Sequence, residues 1–334
     1  MKKTFAFRSR LAPIICRYLK LNFALGKRYK HEVTTLKSLD RFLSRLPRAS
    51  QDLNAETFHA WCDSQAQLTS RVRRNRMWMI QRFCRYRCRT VPSGFIPDST
   101  FIPPPSQTVT PYIFSPAQVA QLMKAAARLE PRSYSPLRPE VVRLAVVLLY
   151  TTGLRIGELL RLMVRDFDPQ QGTLLVRNSK FHKSRLLPLH KDVIDELERY
   201  LRLRRKRGCP VSPDTPLIWN LRQGGRAYSA WGLQCSFRDL LDHCKIRTQS
   251  GRRPRFHDFR HSFAVNALTR WYRSDNDPRT KLPFLAAYLG HIDIGSSYHY
   301  LHFVKPLRNV ASKRFNEFYG GLVVPLSKQE ARNA

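Results

Sequence analysis

The sequence predicts a mainly α fold with a small antiparallel β-sheet, split between a helical N-terminal domain and a mixed α/β C-terminal domain. Three observations predict it. Apolar residues recur at three- and four-residue spacing through most of the chain. Two short apolar runs, TLLVR at 173–177 and RLLPL at 185–189, flank the polar turn NSKFHKS, which is the pattern of a hairpin. Prolines at 92, 97, 103, 104, 105, 111 and 116 crowd one stretch, and such density makes a stiff, extended connector rather than a packed element. The expected boundaries are 1–91 for the helical domain, 92–113 for the linker, 114–320 for the second domain and 321–334 for a tail. Both domains are of ordinary single-domain size.

Taken in order, residues 8–25, 31–46, 55–65 and 68–90 read as helices, with Leu36, Leu39, Leu43 and Leu46 as one apolar face. In the last of these, Met77, Ile80, Cys84 and Cys88 form an apolar stripe. Arginines at 71, 73, 74, 76, 82, 85, 87 and 89 cover the rest. A charge run is usually a solvated face, but this one is single-signed and has no acidic i,i+4 partners. Phosphate contact is the better reading, and Arg71, Arg74, Arg82 and Arg85 are its candidate ligands. After the linker, Ser115 as N-cap and Pro116 at the first helical position open a helix. A very apolar helix at 139–151 ends at Gly153, and IGELLRLMV continues helically, with Arg155 and Glu158 on one face. The hairpin follows, with Lys180 and Lys183 near its tip. Helices return at 191–206, 229–243, 257–271, 281–289 and 306–318.

Lysine and arginine number 59 against 24 acidic residues, a formal net charge of +35. An excess of this size needs a polyanion, and nucleic acid is the usual one. Charge alone also admits an RNA-packing or ribosome-like protein. A hydrophobic share of 43% and five tryptophans argue against a disordered basic tail. The seven cysteines contain no CxxC pair and offer no zinc spacing, so a reduced, cytoplasmic protein is expected, associated with the nucleoid. Arg8, Arg10 and Arg17 break the apolar stretch that a signal peptide needs. The apolar run 144–150 is far too short to span a bilayer, so no membrane association is expected.

Six residues carry the chemistry: Arg155 in TTGLRIGELL, Lys180 in the hairpin turn, His257 and Arg260 in HDFRH, His291 after LG, and Tyr300 in SSYHYLH. Two arginines, a lysine and two histidines are a donor-rich cationic set whose natural partner is a phosphate diester. Guanidinium forks suit the charge that builds up during in-line attack, because they donate paired hydrogen bonds and stay charged. Tyr300 is the candidate nucleophile. A phenol with pKa near 10 is only about 0.1% ionised at neutral pH, so it needs a cationic pocket or a base. Lys180 is the candidate acid for the departing 5′ alkoxide. A 3′-phosphotyrosine would store the bond energy, so neither metal, nucleotide nor other cofactor is expected.

Each residue also has a plainer reading. Arg155 with Glu158 can be an intrahelical ion pair, and Tyr300 an ordinary core aromatic. His257 and His261 stand at i,i+4 as in a zinc protease helix, but no Glu follows the first and Arg260 on the same face would repel a metal. Tyr298 competes with Tyr300 for the nucleophile's role. Order and context together favour the catalytic reading.

In those motifs the sequence resembles the tyrosine recombinase (phage integrase) family, over about residues 114–318. TGLRIGELL matches the family's first arginine motif, VRNSKFHKSRLLPL its β-hairpin, HDFRHSFA its His-x-x-Arg box, and LGHIDIGSSYHYLH its C-terminal box. The resemblance implies a catalytic domain using Arg155, Lys180, His257, Arg260, His291 and Tyr300, with Glu158 in a structural role. It further implies a helical core-binding domain that clamps DNA, and homo- or hetero-tetramers of recombinase protomers on double-stranded DNA. The expected function is site-specific recombination in mobile-element integration, excision or transposition. The rivals are a type IB topoisomerase-like enzyme that relaxes DNA, a non-catalytic DNA-binding protein on the same fold, and a zinc hydrolase.

Overall fold

The computed structural model describes residues 6–27, 29–104, 110–177, 184–274, 278–290, 295 and 300. The chain divides into two compact units, Met1–Val109 and Thr110–Ala334.

The first unit packs four helices: α1 (Ala12–Ala24), α2 (Lys30–Leu43), α3 (Ala55–Asp63) and α4 (Ser70–Arg87). Their apolar faces meet in a core that includes Ile15, Leu19, Leu36, Leu39, Phe58, Trp61 and Phe83. Asn54 caps α3 reciprocally: its side chain accepts from the Thr57 N–H at 2.8 Å, while Thr57 Oγ1 accepts from the Asn54 N–H at 3.0 Å. On α4 the expected stripe is buried at Met77, Ile80 and Cys84, with Cys88 half-buried. Burial pushes the Cys84 thiol up to about 12, so it is an unreactive core residue.

The arginines of α4 do not form one solvated face. Arg71, Arg82 and Arg85 are exposed, as is Arg89 just beyond the helix, whereas Arg73, Arg74 and Arg76 are half-buried. Arg87 is buried and ion-paired to Asp52 at 2.7 Å. Arg82 lies 3.7 Å from the Glu32 carboxylate on α2. Charge compensation comes from other segments, which i,i+4 spacing on a single helix does not reveal.

The proline-rich stretch also departs from an extended connector. Phe95 and Ile102 join the core of the first unit. Gln81 Nε2 donates to the Pro97 carbonyl at 2.9 Å, and Phe101 stacks on His59 at 4.0 Å. Between the prolines stand apolar side chains long enough to reach the helices, and burying them outweighs the stiffness of the backbone. The strap therefore belongs to the helical unit.

The second unit is built around α6 (Arg138–Thr152), which is buried on nearly every side at Val141, Val142, Leu144, Ala145, Val146, Leu148 and Leu149. Ahead of it, α5 (Pro116–Ala126) opens as expected: Ser115 caps the helix and Gln118 returns the bond to the Ser115 N–H at 3.0 Å. The helical continuation after Gly153 shrinks to α7 (Ile156–Leu159). A three-stranded antiparallel sheet follows, in order β1 (Phe167–Asp168), β2 (Thr173–Val176), β3 (Arg185–Pro188), with Leu174 opposite Leu187. Then come α8 (Lys191–Lys206), the two-residue strands β4 (Trp219–Asn220) and β5 (Arg226–Ala227), α9 (Ala230–His243), α10 (Phe256–Arg273) and α11 (Pro278–Leu289). Strands of two residues leave no periodic signature, and neither the β4–β5 pair nor β1 is legible in sequence. The expected helix at 306–318, the tail 321–334, Lys180, Lys183 and His291 lie outside the described residues. No helix among those described is long and apolar enough to cross a membrane.

Candidate active site

Four of the six singled-out residues, Arg155, His257, Arg260 and Tyr300, converge where α6 ends, α7 and α10 begin, and α11 closes. Gly153 caps α6 in the left-handed region, φ +61°, the conformation glycine adopts at least cost. A Cβ there would lie 2.8 Å from Phe263 Cδ1 and 2.9 Å from Leu289 Cδ2. The carbonyl of this tight turn accepts from Arg260 Nη1 at 2.9 Å, and the Leu289 carbonyl accepts from Arg260 Nη2 at 2.5 Å. Arg260 is wholly buried, so its charge rests on carbonyls at the ends of two helices, where the dipoles favour a cation. Burial pulls its pKa down to about 10, the Arg155 charge adds to the drop, and Tyr300 and Glu158 oppose it.

Arg155 is not within a helix. It is the N-cap of α7, in extended conformation, and its backbone N–H donates to Glu158 Oε2 at 3.0 Å. Its Nη1 donates to Glu158 Oε1 at 2.7 Å and its Nη2 to the Gly290 carbonyl at 3.2 Å. Gly290, which follows α11, is also left-handed at φ +67°.

Tyr300 is 3% exposed. Burial raises its phenol pKa above the ordinary value, while the charge and hydrogen bond of Arg260 and the charge of Arg155 pull it back. The phenol thus rests neutral inside a cationic field. His257, in the first turn of α10, keeps a solvent-facing side among dense protein atoms. Its pKa is lowered first by desolvation and then by Arg260, Arg155 and Arg255, so the imidazole is neutral at physiological pH. Next to it, His261 makes edge contacts with both rings, 4.6 Å to His257 and 5.5 Å to Tyr300. Among the described residues no three His, Cys, Asp or Glu side chains gather as a metal site.

Sequence reasoning placed Gly153 as the end of α6 but missed the part its carbonyl plays, and it missed Arg185, Gly290 and the place of His261. Arg185 leaves β3 to donate to Tyr288 O at 2.8 Å and to Glu158 Oε2 at 2.9 Å. Glu158, 3% exposed, therefore serves two arginines. Burial alone would raise its pKa, but hydrogen bonds and charge from Arg185 and Arg155 bring it down to about 2. The one available signal for Arg185 was an arginine placed just after a basic turn.

Residues 113–305 match the phage integrase family. The chain belongs to the phage integrase family. An inferred integrase/recombinase of Sinorhizobium fredii, y4rE, is 31% identical over 315 residues, covering 92% of this chain and 97% of the relative. The tyrosine recombinase XerC of Lactobacillus leichmannii is 30% identical over 173 residues, 51% of this chain and 54% of XerC. Among solved structures, the XerH site-specific recombinase bound to palindromic difH substrate shares the fold. Its TM-score is 0.63 at 20% identity, covering 84% of this chain and 78% of that one. The Tn1549 transposon integrase in complex with transposon right end DNA gives 0.60 at 18% identity, covering 86% and 94%. This member of the phage integrase family is a site-specific tyrosine recombinase, an enzyme that breaks and rejoins DNA.

Proposed function

We propose that Tyr300 attacks the scissile phosphate of double-stranded DNA while Arg155 and Arg260 hold its non-bridging oxygens. The observation that carries this reading is the seating of a buried phenol beside two guanidinium groups, Arg260 held by two main-chain carbonyls and Arg155 by one carbonyl and the Glu158 carboxylate. A phosphodiester brings one negative charge and acquires more in the five-coordinate state, so preorganised cations lower the barrier where charge develops. The Tyr300 Oη–P bond forms and the P–O5′ bond breaks. His257, neutral in the resting protein, takes the phenol proton, and Lys180 protonates the 5′ alkoxide. His291 completes the donor set on the phosphate. The resulting 3′-phosphotyrosine is reversed by attack of a 5′ hydroxyl, with no net change in bond type and no cofactor.

Arg71, Arg74, Arg82 and Arg85 on α4, together with Lys183, supply phosphate contacts along the duplex. Arg71, Arg82 and Arg85 are exposed and so available for that role. Protomers assemble as homo- or hetero-tetramers on paired sites, and the task is movement of a mobile element. The S. fredii relative, named for integrase/recombinase activity, and the fold shared with a transposon integrase support that assignment.

The test uses labelled DNA from the ends of the chain's own genetic locus, incubated with wild-type and Tyr300→Phe protein and quenched with SDS. A covalent protein–DNA band from the wild type alone is expected. A band that survives Tyr300→Phe would move the nucleophile elsewhere, Tyr298 being the first alternative.

A further inference from the structure

The Glu158 carboxylate presents a problem of charge. An arginine and a carboxylate side by side normally close into a bidentate, neutral pair. Arg155 so paired would have little left for a phosphate. In this site it does not close. Arg185 donates Nη2 to Oε2 at 2.9 Å and Nη1 to Oε1 at 3.3 Å, taking the carboxylate in a fork of its own. Arg155 keeps one side-chain bond to Glu158, at Oε1, and one to the Gly290 carbonyl. Two of the five N–H donors of its guanidinium are thereby engaged with described residues. Arg155, Arg185 and Arg260 set against Glu158 leave two positive charges in excess. Without Arg185 the excess falls to one, and only the Arg155 backbone N–H, at 3.0 Å, still holds Oε2 back from the Arg155 guanidinium.

We infer that Arg185 is a positioning residue for the strand-cleavage reaction: by sharing Glu158 it keeps the Arg155 fork open toward the scissile phosphate. The inference rests on the reading above that Arg155 binds that phosphate. A second contact fixes the geometry. Arg185 Nε donates to the Tyr288 carbonyl in the last turn of α11 at 2.8 Å. Its Nη1 would lie 2.9 Å from a Cβ at Gly290, the residue whose carbonyl holds Arg155. One side chain from β3 thus sets both supports of Arg155, the carboxylate and the carbonyl. At 12% exposure it is itself screened from solvent.

The experiment measures single-turnover formation of the covalent adduct by the full chain. The probe is a nicked duplex from the locus ends, chosen because wild type forms an adduct on it and Tyr300→Phe does not. A matched duplex carries a methylphosphonate at the scissile position, in which a methyl group replaces one charged oxygen. Arg185→Met should slow adduct formation by about 100-fold on the ordinary phosphate, the scale of losing one preorganised donor. DNA affinity should stay within about three-fold, because the residue touches no DNA in this scheme. Arg185→Lys, which restores the charge without the fork, should fall between. On the methylphosphonate the Arg185→Met defect should shrink to under about ten-fold, as should that of Arg155→Met, since less charge then develops for Arg155 to offset. A rate for Arg185→Met within about three-fold of wild type overturns the inference. So do equal defects on both substrates, which mark general disruption of the fold. If Arg185→Met fails to fold, Arg185→Lys with an unchanged melting temperature carries the same comparison. An adduct formed by Tyr300→Phe, or none by the wild type on any locus DNA, would instead strike at the nucleophile assignment.

Discussion

Replacing Gly153 with alanine tests whether the turn after α6 is set by backbone conformation, by space, or by both. At φ +61° an L side chain is strained by about 1 kcal/mol or somewhat more. The new methyl would also stand 2.8 Å from Phe263 Cδ1 and 2.9 Å from Leu289 Cδ2, and forcing a group into a packed core costs about 1–3 kcal/mol. Together these give about 3 kcal/mol, or a fall in melting temperature of about 6–12 °C for a unit of this size. Gly208 supplies the control. It is left-handed too, at φ +67°, but nothing lies within 4 Å of its ideal Cβ. Gly208→Ala should therefore lose only the conformational part, about 1 kcal/mol and 2–4 °C. Thermal melts of both variants by circular dichroism make the comparison. Adduct formation by Gly153→Ala should fall by about ten-fold or more, because the carbonyl that holds Arg260 moves with the turn. Equal melting shifts for the two variants would refute the argument from space, and unchanged cleavage would refute the link to Arg260.

Further outcomes can be checked in the same way. Glu158 is held at about 2 in the folded chain against an ordinary 4.5, so its contribution is complete above pH 4.5 and lost as pH falls through about 2. The difference corresponds to about 3 kcal/mol. Urea titrations of Glu158→Gln should show that deficit at pH 7 and a narrowing gap to wild type as the pH drops below 4.5. Arg204 is wholly buried, has no hydrogen-bond partner at Nε or Nη2, and has its pKa lowered first by desolvation. Arg204→Met should match or exceed wild-type stability by about 1–2 kcal/mol, and a loss above about 2 kcal/mol would show that the Nη1 bonds to the Pro216 and Leu217 carbonyls and the stacking on Trp219 outweigh the cost of burying the charge. Replacing Arg82 and Arg85 together by alanine should lower the slope of log affinity against log salt by about 1–2. Arg87→Ala should leave that slope unchanged and destabilise the helical unit through loss of Asp52.

Much of this architecture is legible because it is periodic. The four helices of the first unit, α5, α6 and α8 to α10 announce themselves by apolar spacing and by caps such as Ser115. Arg155, Arg260 and Tyr300 are recognisable because each stands in a short motif, although their separation in sequence says nothing of distance. What stays hidden depends on contacts between distant segments. Arg185 looks like one more cation of a basic turn until β3 brings it to Glu158. Arg87 looks like its neighbours until Asp52 meets it. The glycines at 153 and 290 look like ordinary helix stops, yet their carbonyls hold the two guanidinium groups. Sequence spacing reports faces of single elements, whereas this site is assembled from the ends of four.

The strap that carries Phe95, Pro97, Phe101 and Ile102 has a bearing on how such chains can be rebuilt. Proline-rich stretches invite cutting, and an engineer exchanging N-terminal modules between recombinases would splice at Pro92. That junction would strip the Phe95 ring from Phe58 and the Pro97 carbonyl from Gln81, leaving the donated module with an open apolar flank. The natural seam lies later, past Ile102 and before Thr110. A chimera joined there carries its own cover with it, so the helical module keeps its core closed after the exchange.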